Sequence, residues 1–145
     1  GEVSPPSDIW SAIEELDADR IGHGTSSIHD EKLQDYLKEN NIVLEQCITS
    51  NYQTGSWHDE KNHPLGRLYQ RGIPVTINSD DPFIEDTDLT DDYVKAANYF
   101  NFTLEDFINL NLNAINGCFL PANDKEKIKK EYIQKVNTFS SSIKE

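Results

Sequence analysis

Two adjacent carboxylates, Asp80 and Asp81, follow the β-branched run Val75-Thr76-Ile77 and are cut off by Pro82. Val75 and Ile77 have the period-two spacing and the residue types of a buried strand. A proline cannot donate to a strand ladder, so the chain must leave the sheet at 82. The pair is therefore expected at the carboxyl end of a strand, where parallel α/β folds place their chemistry. Neighbouring side chains on an extended backbone diverge, which suits the two aspartates to different tasks. Asp-Asp-Pro is also ordinary turn chemistry, and the pair alone does not separate the two readings.

His23 lies between Gly22 and Gly24, whose missing side chains let a ligand or a neighbouring backbone come close. A lone histidine is more often structural or surface-exposed; a position at a strand end strengthens the functional reading. Glu2 could act as a general acid, because a carboxylic acid can stay protonated in a dry site. Its place at the start of the chain suits an exposed glutamate equally well. Aspartate and histidine together suit zinc, although the chain has no H-x-H or H-E-x-x-H motif. His58 and His63 are spaced wrongly for one helical face and fall in a polar stretch, so both are expected in solvent. His29, just before a helix, is expected at the surface. Cys47 and Cys118 read as small buried residues without a chemical role.

These groups need elements to hold them. Val3-Ser4-Pro5-Pro6-Ser7 feeds a helix capped by Ser7 or Asp8, with Ile9, Trp10, Ile13 and Leu16 as its apolar stripe. Ala18 to Gly24 is a short strand candidate, and Asp30 to Asn40 is a helix with Leu33, Tyr36 and Leu37 on one face. Ile42 to Cys47 reads as a buried strand, and Ile48 to Asn62 as a polar loop. A short helix from Pro64 ends before Gly72, and Ile73 to Asn78 is the third strand. An acidic loop, 85–88, precedes a helix over 90–100. Thr103 and Asp106 form a capping box for another helix. A lysine-rich helix runs from Asp124 to about Val136, and 138–145 is expected to fray. The strand centres lie roughly 22 and 32 residues apart, which suits βαβ units in a parallel sheet. In such a sheet the carboxyl ends share one edge, so His23, the Glu45-Gln46-Cys47 end and Asp80-Asp81 would converge.

The 145 residues suit one domain. Apolar residues are only 36%, but 6 Phe, 6 Tyr and 2 Trp are enough for a core. With 26 acidic against 13 basic residues the net charge is −13. Such a field repels phosphate backbones and anionic lipid, which excludes nucleic acid and membrane surfaces as natural partners. Two cysteines form no disulfide framework, and a reducing cytoplasm is the simplest compartment. A three-stranded parallel sheet leaves open edges, and there is no methionine. The chain is therefore expected to be part of a larger parallel architecture.

Gly1-Glu2, Arg20-Ile21-Gly22-His23-Gly24, Cys47-x-x-Ser50-Asn51-x-x-Thr54-Gly55 and Ser79-Asp80-Asp81-Pro82 resemble, in order and spacing, motifs from the second half of the adenosine deaminases. The resemblance extends to about Pro121. It implies the C-terminal part of a zinc-dependent (β/α)8 barrel, spanning 1–145, whose family hydrolyses the 6-amino group of adenosine to give inosine and ammonia. Glu2 would match the acid that protonates purine N1, and His23 the histidine that orients and helps deprotonate the zinc-bound water. Asp80 would match the aspartate that ligates zinc, and Asp81 the carboxylate that hydrogen-bonds purine N7. Asn51 and Thr54-Gly55 are expected to support the loop rather than to act in catalysis.

The family's His-x-His pair and the histidine two residues before Gly1 are absent, so most of its zinc ligands lie outside this chain. The expected partner is the N-terminal half of the same barrel, and the isolated chain is expected to be inactive. Adenosine or 2′-deoxyadenosine is the expected substrate. A deaminase of adenine or of a modified adenosine is the alternative; the acidic stretch Phe83 to Asp92 resembles adenosine enzymes more than adenine ones, and the net charge of −13 disfavours a phosphorylated substrate. A non-catalytic acidic α/β interaction module, in which Asp80-Asp81-Pro82 is only a turn, is the second alternative.

Overall fold

A computed structural model of the chain describes residues 1–142. Three short strands, β1 (Arg20–Gly22), β2 (Val43–Gln46) and β3 (Val75–Ile77), form one parallel sheet in that order. Register pairs Ile21 with Leu44 and Leu44 with Val75. Backbone bonds carry the alignment past the strand ends: His23 N–H donates to Glu45 O and Asn78 N–H to Gln46 O, both at 2.9 Å. The chain therefore leaves all three strands along a common edge.

Helices return the chain between strands, as expected from the spacing. α1 (Pro6–Leu16) precedes β1, and α2 (Glu31–Glu39) joins β1 to β2. α3 (Ile48–Gln53) and α4 (Pro64–Gln70) lie between β2 and β3. α5 (Pro82–Glu85), α6 (Leu89–Phe100), α7 (Leu104–Gly117) and α8 (Ala122–Ser142) follow. Leu33 and Leu37 of α2, Leu44 of β2, Ile48 of α3, Leu65 and Leu68 of α4 and Val75 of β3 are fully buried in one core. Full burial of such a side chain contributes about 1.5–3 kcal/mol, so this contiguous set dominates the fold's stability. No described helix is long and apolar enough to cross a membrane.

Caps set most helix starts. Asp30 accepts from Lys32 N and Leu33 N at the start of α2, and Thr103 with Asp106 forms the expected capping box of α7. α1 differs from expectation: Pro5 is its N-cap and Pro6 its first residue, and no side chain caps it. A proline at the first position has no N–H to leave unpaired, so Ser7 and Asp8 are not needed there. Leu16, expected in the apolar stripe, is 77% exposed because the helix ends on a left-handed Asp17 (φ 51°). α8 continues as helix through 138–142, where fraying was expected; 143–145 lie outside the described residues.

The main departure is the stretch expected to be a polar loop. Its first six residues form α3, in which Ile48, Thr49, Ser50 and Asn51 are all buried. Hydrophobic periodicity missed it because three of those four inward residues are polar. His63 is not in solvent but 2% exposed, and caps α4 by accepting from Leu65 N–H through Nδ1 (3.2 Å). His58 and His29 are exposed as expected, and Cys47 is buried. Burial, with His23 and Arg67 nearby, pushes the His63 pKa down to about 3.

Below its ordinary pKa near 6.5 the unfolded chain protonates His63 while the fold keeps it neutral. The unfolded state then holds the extra proton, so stability falls as pH drops from 6.5 toward 3. One such proton contributes a slope of about 1.4 kcal/mol per pH unit. Urea unfolding between pH 7 and 5 is expected to show this slope as a difference between the wild type and His63→Gln. Parallel pH profiles of the two would contradict it.

Candidate active site

Three segments bring a side chain each to the shared strand edge. Glu2 enters from the chain start, where its backbone carbonyl accepts from Thr25 Oγ1 (3.2 Å). His23 follows β1 and Asp80 follows β3. Both have left-handed backbones, each with φ 56°. That conformation is uncommon outside glycine, and such residues cluster where a site over-determines them. Gly24 continues the left-handed path at φ 65°, and a Cβ there would meet Leu44 Cδ2 at 2.8 Å.

His23 Nε2 lies 3.5 Å from Asp80 Oδ2 and 3.8 Å from Glu2 Oε2. Glu2 lines a groove of its own with Thr25, His29 and Trp57, while His23 and Asp80 share a cleft of about 460 Å³, lined also by Gly22, Cys47, Asn78 and Leu89 among others. Helix α3 sits behind it and holds each reactive group. Ser50 Oγ donates to Asp80 Oδ2 (2.7 Å). Asn51 Nδ2 donates to Glu2 Oε1 and faces His23 Nδ1, both at 3.0 Å. Thr54 and Ser56 hydroxyls donate to the same Glu2 oxygen at 2.8 and 2.9 Å. Asn51, expected only to support a loop, thus bonds two of the predicted site residues directly.

Burial raises the Glu2 pKa, but the bonds from Thr54, Ser56 and Asn51 and the charge of His23 outweigh it, and the net shift is downward. The open pocket therefore holds Glu2 as a carboxylate rather than as the protonated acid of a dry site. Desolvation acts the other way once a ligand displaces water, because it penalises the charged form.

Asp81 does not join this cluster. It is exposed, stands at the N-cap position of α5, and makes no side-chain hydrogen bond among the described residues. The two side chains part because Asp80 is left-handed (φ 56°), not extended as the sequence suggested, and the turn reading also holds, since Pro82 opens α5 at once.

His23, Cys47 and Asp80 each place one ligand atom within 4.8 Å of the others. Nitrogen and carboxylate oxygen in this arrangement are donors that zinc accepts. The thiol is less suited as it stands. Burial first, then the charges of Asp80, Asp92, Glu85 and Glu45, push its pKa up, which opposes the thiolate needed for nucleophilic attack or ligation.

The position of α3 depends on a lock that no motif announced. Asp92 of α6, fully buried, accepts from both Thr49 N (3.0 Å) and Thr49 Oγ1 (2.7 Å). Lys95 Nζ donates to Thr49 Oγ1 (2.7 Å) and pairs with Glu60. Burial raises the Asp92 pKa; the Thr49 bonds and Lys95 oppose that shift. The i, i+3 spacing of Asp92 and Lys95 puts both on one helix face, but only the tertiary contact with Thr49 shows what that face does.

The sequence profile of the adenosine deaminase family matches residues 1–135. An adenosine deaminase from Vibrio parahaemolyticus is 38% identical over 94% of this chain, which spans 41% of that relative's length. An adenine deaminase structure from Arthrobacter aurescens superposes with TM-score 0.89 at 26% identity, over 94% of this chain and 42% of that one. An amidohydrolase from Burkholderia ambifaria, solved with bound Zn, shares the fold with TM-score 0.86 at 20% identity, covering 95% of this chain and 39% of its own. The chain belongs to the adenosine deaminase family.

Proposed function

We propose that this chain supplies the acid, histidine and aspartate corner of a zinc-dependent aminohydrolase that converts adenosine or 2′-deoxyadenosine to inosine or 2′-deoxyinosine and ammonia. The chain spans about two-fifths of the length of its curated relative, so the activity is proposed for the barrel to which it contributes. The observation that carries the reading is the meeting of Glu2, His23 and Asp80 within 3.8 Å on the carboxyl edge of the sheet.

Asp80 is the chain's proposed zinc ligand; Ser50 fixes one of its oxygens and leaves the other free for a cation. Zinc, when bound, supplies a strong nucleophile from water at neutral pH. Glu2 holds a proton for the purine ring nitrogen beside the carbon under attack. A purine over Glu2 excludes water and offers a basic nitrogen to share a proton, and both favour the protonated carboxyl that the open site disfavours. His23 bridges the two carboxylates and orients the group between them. Asp81, on the solvent side of the turn, is proposed to contact the purine at N7.

Adenine is the second reading, favoured by the likeness to the Arthrobacter adenine deaminase. Ultraviolet assays of the intact protein with adenosine, 2′-deoxyadenosine, adenine and AMP separate the readings. Turnover of the two nucleosides is expected, and exclusive turnover of adenine or AMP would overturn the first reading. Glu2→Gln keeps the size but cannot deliver the proton, and is expected to lower kcat by about 10²–10⁴-fold. An unchanged kcat would remove Glu2 from the reaction. Asp80→Asn is expected to lose zinc on dialysis, read by metal analysis. Full zinc occupancy in that variant would sink its assignment as ligand.

A further inference from the structure

His63 lies behind α3, away from the cleft lining, yet it is among the most buried polar side chains of the chain. Both of its ring nitrogens have partners. Leu65 N–H can only donate, and it points at Nδ1 (3.2 Å). Nδ1 therefore carries a lone pair, and neutral His63 has its hydrogen on Nε2. That nitrogen lies 3.0 Å from Asn51 Oδ1 and donates to it.

The donation fixes which way the Asn51 carboxamide faces. Nδ2 then meets Glu2 Oε1, His23 Nδ1 and Ser56 Oγ, each at 3.0 Å. A reversed amide would set its NH2 against the His63 N–H and its oxygen against the Glu2 carboxylate. Both ends of the chain of bonds thus demand the same orientation. Nδ2 carries two hydrogens for these three neighbours, and Glu2 Oε1 already accepts from the Thr54 and Ser56 hydroxyls, which leaves one for His23. Neutral His23 then accepts through Nδ1, because a hydrogen there would oppose another hydrogen. The remaining nitrogen, Nε2, faces Asp80 Oδ2 and Glu2 Oε2.

We propose that His63 is a positioning residue: acting through the Asn51 carboxamide, it fixes the proton of neutral His23 on Nε2, in the space between Glu2 and Asp80. Neutral His23 then offers a donor, not an acceptor, to whatever occupies that space. Proton acceptance there falls to the carboxylates, and His23 orients by donation. This keeps the orienting part of the role that the resemblance implies for His23 and moves the deprotonation to the carboxylates. Its consequence for turnover rests on the aminohydrolase reading, whereas the tautomer is a property of the fold.

Two substitutions separate the relay from the helix cap. His63→Asn keeps an acceptor for Leu65 N–H but is too short to reach Asn51. His63→Gln can present an N–H at the distance of Nε2. Long-range ¹H–¹⁵N spectra of the imidazoles in the intact protein report the tautomers directly. The wild type is expected to show His23 and His63 both with the hydrogen on Nε2. In His63→Asn the His23 signals are expected to shift toward a tautomer mixture, with kcat down by about 10–100-fold and KM little changed, the usual effect of losing such a supporting bond. His63→Gln is expected to restore the Nε2 tautomer and most of kcat. A wild-type His23 with its hydrogen on Nδ1, or an unchanged His23 in folded His63→Asn, would overturn the proposal. If His63→Asn does not fold, the wild-type and His63→Gln spectra still decide. Absence of deamination in the wild type would count against the aminohydrolase reading and leave the tautomer result to stand or fall alone.

Discussion

Parallel pairing of three strands is the constraint on which the rest depends. When β1, β2 and β3 run the same way, their carboxyl ends must lie together, and residues remote in sequence become neighbours. His23 and Asp80 are 57 positions apart, yet His23 Nε2 and Asp80 Oδ2 lie 3.5 Å from each other. The ladder extends beyond the strands, through His23 N–H and Asn78 N–H, so the departing residues inherit its alignment. Left-handed backbones at His23 and Asp80 then turn the chain at the edge. The strain is tolerable because histidine and aspartate enter this region more readily than most residues.

A polar helix packed behind that edge would be costly if any of its groups were unpaired. In α3 the buried Thr49, Ser50 and Asn51 each have partners, and each partner does a different task. Thr49 ties the helix to Asp92 of α6, Ser50 restrains Asp80, and Asn51 joins Glu2, His23 and His63. Apolar residues of the same size would pack the space but could not orient a carboxylate. The arrangement is thus built for direction rather than for burial, with the apolar contribution left to Ile48 and the core beneath it.

Negative charge accumulates around the cleft. Asp80, Glu85 and Asp92 all act on Cys47, and Glu85 is itself raised by burial, then lowered by Ser50 and raised again by Asp80, Asp81 and Asp92. Among the described residues Lys95 engages this group through Thr49 and Glu60, and Arg20 pairs with the cleft-lining Glu45 at 3.4 Å. A site so supplied with carboxylates attracts a cation and disfavours added phosphate. The same field keeps the Cys47 thiol protonated and inert.

The strands, the parallel α/β class and most helices were legible in sequence because their signals are local. Val75 and Ile77 alternate, Leu33 and Leu37 share a face, and Thr103 with Asp106 caps α7. Of the candidate residues, His23, Asp80 and Asp81 were legible as types at strand ends and Glu2 through the motif resemblance, and Glu2 and Asp80 do come within 3.8 Å of His23. Helix α3, buried His63 and the Asp92–Lys95 lock were not. Their burial is satisfied by polar partners 12 to 49 positions away, and hydrophobic periodicity is silent about such pairing. What sequence by itself determined was which residues could react and which strand ends would carry them. Only the tertiary structure decided how those groups are aimed, because a hydrogen bond's direction is set by partners that folding brings together.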